Sequence, residues 1–167
     1  APIKVDRKTK KLAKRLSTGD IAVINHTDID EVAANSLVEC KIKLVINAAP
    51  SISGRYPNKG PKILIDNNIL IIDNVGEEVF EDLKEGQIIE VNNGLIYRDG
   101  QLIGQGEVMD KSVVEQKTKI AYENMSVELD RFIDNTIEYA KREKGFILGE
   151  TEIPKMATDY KDRHVLV

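Results

Sequence analysis

Two short stretches of this 167-residue chain gather the side chains able to do chemistry. The first is "NHTDID", which places His26 two residues before Asp28 and four before Asp30. An imidazole that titrates near neutral pH, next to two carboxylates, is suited to general acid/base work. The same residues also suit a structural role, with Thr27, Asp28 and Asp30 capping a helix and His26 ending a strand. The second stretch is "NAAPSISGRYPNKGPK", Asn47 to Lys62. Asn47, Ser51, Ser53, Asn58, Tyr56 and the amides around Gly54 offer donors for phosphate or carboxylate oxygens, and Arg55 and Lys59 offer neutralising charge. The segment matches neither a Walker motif nor a GxGxxG fingerprint. Its competing reading is an ordered surface loop in which Pro57-Asn58 and Gly60-Pro61 are turn residues. A metal site needs three or more converging ligands, and only Asp28, Asp30 and remote carboxylates are on offer. No catalytic residue, metal ligand or cofactor is therefore assigned.

The elements that must position these residues follow from periodicity. "IAVIN" (Ile21–Asn25) and "IKLVIN" (Ile42–Asn47) read as buried strands. The segment between them places Ile29, Val32, Ala33, Ser36 and Leu37 on one helical face. Strand, helix, strand in so few residues is a parallel βαβ unit with a right-handed crossover. Both candidate stretches leave carboxyl ends of strands, where open α/β sheets collect ligands. Three short parallel strands, the third being "ILIID", would bring His26 and Arg55 to a shared rim. A short helix opens at Pro61, and another in "GEEVFEDLKEG" closes at Gly86. Asn93-Gly94 and Asp99-Gly100 then mark an antiparallel meander, so the sheet is expected to be mixed.

Residues 1–18 form a basic segment with a short amphipathic helix ending near Ser17, residues 19–110 the α/β domain and residues 111–148 one long helix broken by Gly145 and Gly149. Residues 149–167 read as a linker running into "HVLV", the first strand of a further domain missing from this chain. On the long helix, Met125, Leu129, Phe132, Thr136 and Tyr139 alternate spacings of four and three. Ile133, Ile137 and Ala140 widen that stripe, while Val113, Ile120 and Val127 lie on another face. A homodimer through the stripe is the expected use.

Apolar residues make up 41 % and charged residues 31 %, enough for a packed core. A net charge of −4 and no tryptophan give no basis for a nucleic-acid partner. Cys40 is the one cysteine, so no intramolecular disulfide forms and a reducing compartment suits the chain. Cys40 reads as a packing residue. No apolar run reaches membrane-spanning length and no secretory signal is evident, so a cytoplasmic location is expected.

"GDIAVINHTDIDEVAANSLV", "VINAAPSISGRYPNKGP", "NVGEEVFEDLKEGQ" and "NTIEYAKREKG" together resemble the N-terminal region of the bacterial cytokinetic ring protein SteA family, from about Val5 to Val167. The resemblance implies a role in cell division and daughter-cell separation, a membrane-protein partner and septal association of the full-length form. It implies a scaffold or anionic-ligand-binding module. Its rival is part of a thiamine-pyrophosphokinase-like phosphoryl- or pyrophosphoryl-transfer enzyme, whose activity would reside in the absent C-terminal domain. A more distant likeness links "GDIAVI", "NNILII" and "LKEGQIIEV" to the swivelling phosphohistidine domain of phosphoenolpyruvate-utilising enzymes. It implies a swivelling β/β/α-type domain followed by a long C-terminal helix. Where those enzymes carry the phosphorylated histidine, this chain has Ser53-Gly54-Arg55-Tyr56. The likeness thus implies the fold without the phosphotransfer, and an arginine suited to holding an anion.

Overall fold

The computed structural model describes residues 1–149. The linker and strand expected beyond them lie outside the described residues. In chain order the elements are β1 (Ile3–Asp6), α1 (Thr9–Ala13), β2 (Ile21–Ile24), α2 (Glu31–Glu39), β3 (Leu44–Asn47), α3 (Gly60–Asp66), β4 (Leu70–Asp73), α4 (Glu77–Asp82), β5 (Glu90–Asn92), β6 (Leu95–Arg98), β7 (Gln101–Gln105), β8 (Glu107–Met109), α5 (Lys111–Arg142) and α6 (Lys144–Ile147). They fall into two units, Ala1–Val127 and one beginning at Glu128, and the boundary lies inside α5. The class is α/β with a mixed sheet and a long C-terminal helix, as expected, although β8 and not the meander makes the sheet mixed.

In the first unit β1, β2, β3 and β4 are parallel neighbours in that order, and β8 closes the sheet antiparallel to β4. The meander β5-β6-β7 is a separate three-stranded sheet. Both of its turns have positive φ at both central residues, Asn93 and Gly94, then Asp99 and Gly100. That is the type I′ geometry whose twist matches the flanking strands.

β2 shows why its sequence is a continuous apolar run: all four of its residues are buried. Ala22 and Ile24 face a cluster containing Leu12 of α1, Leu37 of α2, Leu64 of α3 and Val114 and Ala121 of α5. Ile21 and Val23 face the opposite cluster, with Phe80 and Leu83 beside Ile96 of the meander. A strand covered on both faces needs no polar side. The layers are therefore helices, parallel sheet, then meander with α4.

Four local expectations change. The chain begins its first strand at Ile3, inside the segment read as a basic N-terminal piece. β1 pairs with β2 from Ile3↔Ile21 to Asp6↔Ile24, and the Ile3 side chain is fully buried. On α2 the buried positions are Ala33, Ala34 and Leu37, with Ile29 just ahead of the helix, whereas Val32 is 73 % exposed. The face is thus rotated away from Val32 and Ser36. On α5 Val114 and Ala121 are buried against the body, with Val113 partly buried beside them, whereas Ile120 is exposed. Gly145 does not break a helix: it lies inside α6, and the interruption falls at Glu143. Among the described residues no helix is long and apolar enough to cross a membrane.

One close approach fixes α3 against the segment leading into α2. A Cβ built on Gly60 would sit 2.0 Å from the Ile29 carbonyl oxygen and 2.9 Å from that of Asp30. Backbone cannot yield as a flexible side chain can. Gly60→Ala is therefore expected to cost about 3 kcal/mol, at the upper end of overpacking effects. Urea unfolding reads this directly, and a loss within about 0.5 kcal/mol, the scale of neutral surface changes, would show that α3 shifts freely.

Candidate functional site

The carboxyl ends of β2, β3 and β4 form a rim, and a buried carboxylate organises it. Asp73, the last residue of β4, is fully buried. Its Oδ1 accepts from the Ser51 amide at 2.9 Å and from the Ser51 hydroxyl at 2.5 Å, and Oδ2 lies 3.1 Å from the same amide. Ser51 Oγ in turn accepts from Asn47 Nδ2 at 2.8 Å. Asn47 closes the chain onto β2: its Oδ1 accepts from the His26 amide, and its Nδ2 donates to the His26 carbonyl, both at 2.9 Å. Three neighbouring strand ends are thus tied by side chains. Burial pushes the Asp73 carboxyl above the ordinary aspartate range, against the downward pull of its Ser51 bonds and of Lys117.

A second carboxylate holds the loop further out. Asp28 sits at φ 55, a left-handed conformation that Asp tolerates. Its Oδ1 accepts from the Ser53 amide at 2.7 Å and its Oδ2 from the Ser53 hydroxyl at 2.8 Å. Ser53 Oγ also accepts from the Arg55 amide at 3.2 Å. Asn58 donates to the carbonyls of Ile29 and Ser51 at 3.0 and 2.8 Å, while its own Oδ1 is buried without a partner. Asn124 of α5 donates to the Gly54 carbonyl at 2.8 Å. Asp30 is the N-cap of α2, accepting from the Ala33 amide at 2.7 Å.

The two stretches predicted to share a rim meet through the Asp28–Ser53 bonds beyond β2 and β3, in a sheet of four parallel strands rather than three, but the side chains of His26 and Arg55 do not line one cleft. Their roles differ from the expected cradle. The amides of Ser51 and Ser53 already donate to Asp73 and Asp28, so the loop's own fold contains the anions that an outside ligand would supply. Asn47 and Ser51 are buried framework. The outward groups are the side chains of Arg55, Tyr56 and Lys59, all exposed. Lys59 lies 3.3 Å from Glu31. Arg55 makes no ion pair with the described residues.

His26 faces a different neighbour, sharing a 2.9 Å hydrogen bond between its Nδ1 and the hydroxyl of the buried Thr9. It lines an open cleft of about 450 Å³ with Lys8, Lys10, Thr27, Asp30 and Ser36, a wall to which no residue between Ser51 and Lys59 contributes. Arg7 also lines it, but its guanidinium is engaged by Glu77 and Glu81 and lies 5.0 Å from the Phe80 ring centre. Cys40 is half-buried, its Sγ 3.1 Å from the Ser36 carbonyl, and burial raises its thiol pKa. Among the described residues no three His, Cys, Asp or Glu side chains are grouped as metal ligands.

Sequence reasoning missed Asp73, Thr9 and Asn124. Only Asp73 left a signal, as an acid ending an otherwise apolar strand. Comparison with protein families, curated proteins and solved structures found no match for this chain.

Asp73 gives the rim a pH dependence. A carboxyl whose native pKa is raised binds its proton more tightly folded than unfolded, so it adds stability as pH falls through the native value and loses it as pH rises. The stability of the wild type minus that of Asp73→Asn is therefore expected to grow between neutral pH and pH 4, measured by urea titrations. A difference that shrinks on acidification would show that the Ser51 bonds outweigh burial.

Proposed function

We propose that this chain is a non-catalytic, anion-recognising scaffold module of a SteA-like cell-division protein, with Arg55 as its anchoring cation. One observation carries the reading: a loop braced at Ser51, Ser53, Gly54 and Asn58 holds an arginine in solvent with no carboxylate among the described residues to pair with it. Ordering a loop costs conformational entropy, and here the bracing is spent on presenting a guanidinium and the 65 % exposed Tyr56 beside it. A guanidinium binds phosphate or carboxylate in bidentate fashion, which matches an anionic metabolite or an acidic group on a partner protein. The division-site role, with a membrane-protein partner at the septum, rests on the sequence resemblance.

The enzymatic alternative asks more of the same residues. Phosphoryl transfer relies on carboxylates that hold a cation over the phosphates. Asp28 is occupied by Ser53, Asp30 by the start of α2, and Asp73 is sealed beneath the loop. These engagements favour recognition over turnover.

A thermal-shift series with inorganic phosphate, pyrophosphate and nucleoside triphosphates, run on wild type and Arg55→Ala, tests the reading. A ligand at a hundredfold excess over its Kd stabilises the fold by about 2.7 kcal/mol. That shift is expected for the wild type with at least one compound and is lost in Arg55→Ala. Equal responses of the two proteins to every compound would remove Arg55 from the site.

A further inference from the structure

In the second unit, the part of α5 from Glu128 to Arg142 carries apolar side chains that nothing described covers. Leu129, Phe132, Ile133, Ile137 and Tyr139 are each between 45 and 66 % exposed. Leu129, Phe132, Thr136 and Tyr139 follow spacings of three, four and three, the period of a seam that packs knobs into holes of a facing helix. Such a seam in one segment fits a second copy of itself, because a two-fold axis lets one patch serve both partners.

We infer that Glu128–Arg142 pairs with the same segment of a second copy, the two helices antiparallel about an axis level with Asp134. That axis sets Leu129 opposite Tyr139 of the second copy and Phe132 opposite its Thr136. Ile133 meets its own counterpart on one flank, and Asn135 meets its own counterpart on the other. On the Asn135 flank the axis also sets Glu128 against Arg142 of the second copy, twice by symmetry. A parallel arrangement instead sets Glu128 against Ile133 and Asn135 against Ala140, with no pair of opposite charges. Charge complementarity thus selects the antiparallel partner. Glu128 and Arg142 are at present held by Arg131 and Glu138 at 2.8 and 2.9 Å, in pairs at least 61 % exposed on both sides. Exposed pairs of this kind contribute little and exchange readily.

Sedimentation equilibrium on the 167-residue chain at tens of micromolar is expected to give twice the 18.7 kDa chain mass, and Phe132→Lys the single mass. Glu128→Arg and Arg142→Glu each weaken the dimer several-fold, and the double variant recovers it. In a Cys40→Ala background, Ile133→Cys cross-links on mild oxidation and Thr136→Cys does so more slowly. A wild-type monomer, as when another segment of the chain or a different protein covers the stripe, overturns the inference. So does a dimer indifferent to Phe132→Lys, or faster cross-linking through Thr136→Cys, which marks a parallel pair. Because Arg55 plays no part in these measurements, their failure leaves the anion-binding reading standing, and the converse holds.

Discussion

A carboxylate taken out of water at the end of β4 dictates the shape of the rim. Asp73 has no solvent to satisfy it, and a buried charge without partners costs several kcal/mol. The nearest donors available to it are the amide and hydroxyl of Ser51, which the Ala-Ala-Pro turn after β3 delivers. Once Ser51 is committed, its remaining acceptor capacity meets Asn47, and Asn47 has just enough donors and acceptors to complete the circuit onto the His26 backbone. The result is a polar network in a dry environment, where each bond is stronger than in water and each vacancy more costly. The loop start is fixed because the carboxylate is.

This commitment limits what the rim can offer outward. Backbone amides at strand ends and loop turns are the usual means of gripping an anion. Here two of them already donate to Asp73 and Asp28, so the groups left facing outward are cationic side chains on a braced loop. Arg55 differs from Lys59 and Arg7 in this respect, since Lys59 has Glu31 nearby and Arg7 is held by two glutamates over an aromatic ring. The cleft beside His26 is walled separately, from the β1–α1 corner and the outer face of α2. Val32 and Ser36 line it because the helix turns its small residues, Ala33 and Ala34, toward the sheet, and that close packing leaves them on the open side.

Where local chemistry decides structure, the sequence was readable. Asn93-Gly94 and Asp99-Gly100 announce their turns because positive φ at consecutive positions admits few residues. The buried strands show as unbroken apolar runs because both faces are covered. β1 was hidden since "IKVD" is four residues long, alternates in polarity as an edge strand does, and precedes a run of lysines that dominates the composition. On α2 the expected Ile29, Ala33 and Leu37 are buried but Val32 is not, and on α5 Ala121 is buried while Ile120 is exposed. Valine and isoleucine look like core in a periodicity count, but alanine at 33, 34 and 121 allows the closer approach of helix to sheet, and proximity decides burial. At the rim, the residues of the loop were identifiable by type. Their partners were not, because Ser51 and Asp73 are separated by the whole of α3 and β4, and nothing local records that pairing.

Helix α5 brings two different energetic situations into one element. Up to Val127 it is anchored by Val114 and Ala121, which bury completely or nearly so against the sheet's helical face. From Glu128 its visible support is local, an i,i+3 pair at Glu128–Arg131 and an i,i+4 pair at Glu138–Arg142. Each is worth about 0.2–0.5 kcal/mol. Helical order in proteins comes chiefly from packing an apolar face, not from such pairs or from propensity. A stripe holding Leu129, Phe132, Ile133, Ile137 and Tyr139, each about half exposed or more, also leaves contiguous apolar surface in water. Covering even part of it at roughly 25 cal/mol per Å² of apolar surface outweighs the local pairs. Local pairs alone are thus a weak source of order for this half of the helix, and burying the stripe in a self-complementary seam, as inferred above, would supply a stronger one.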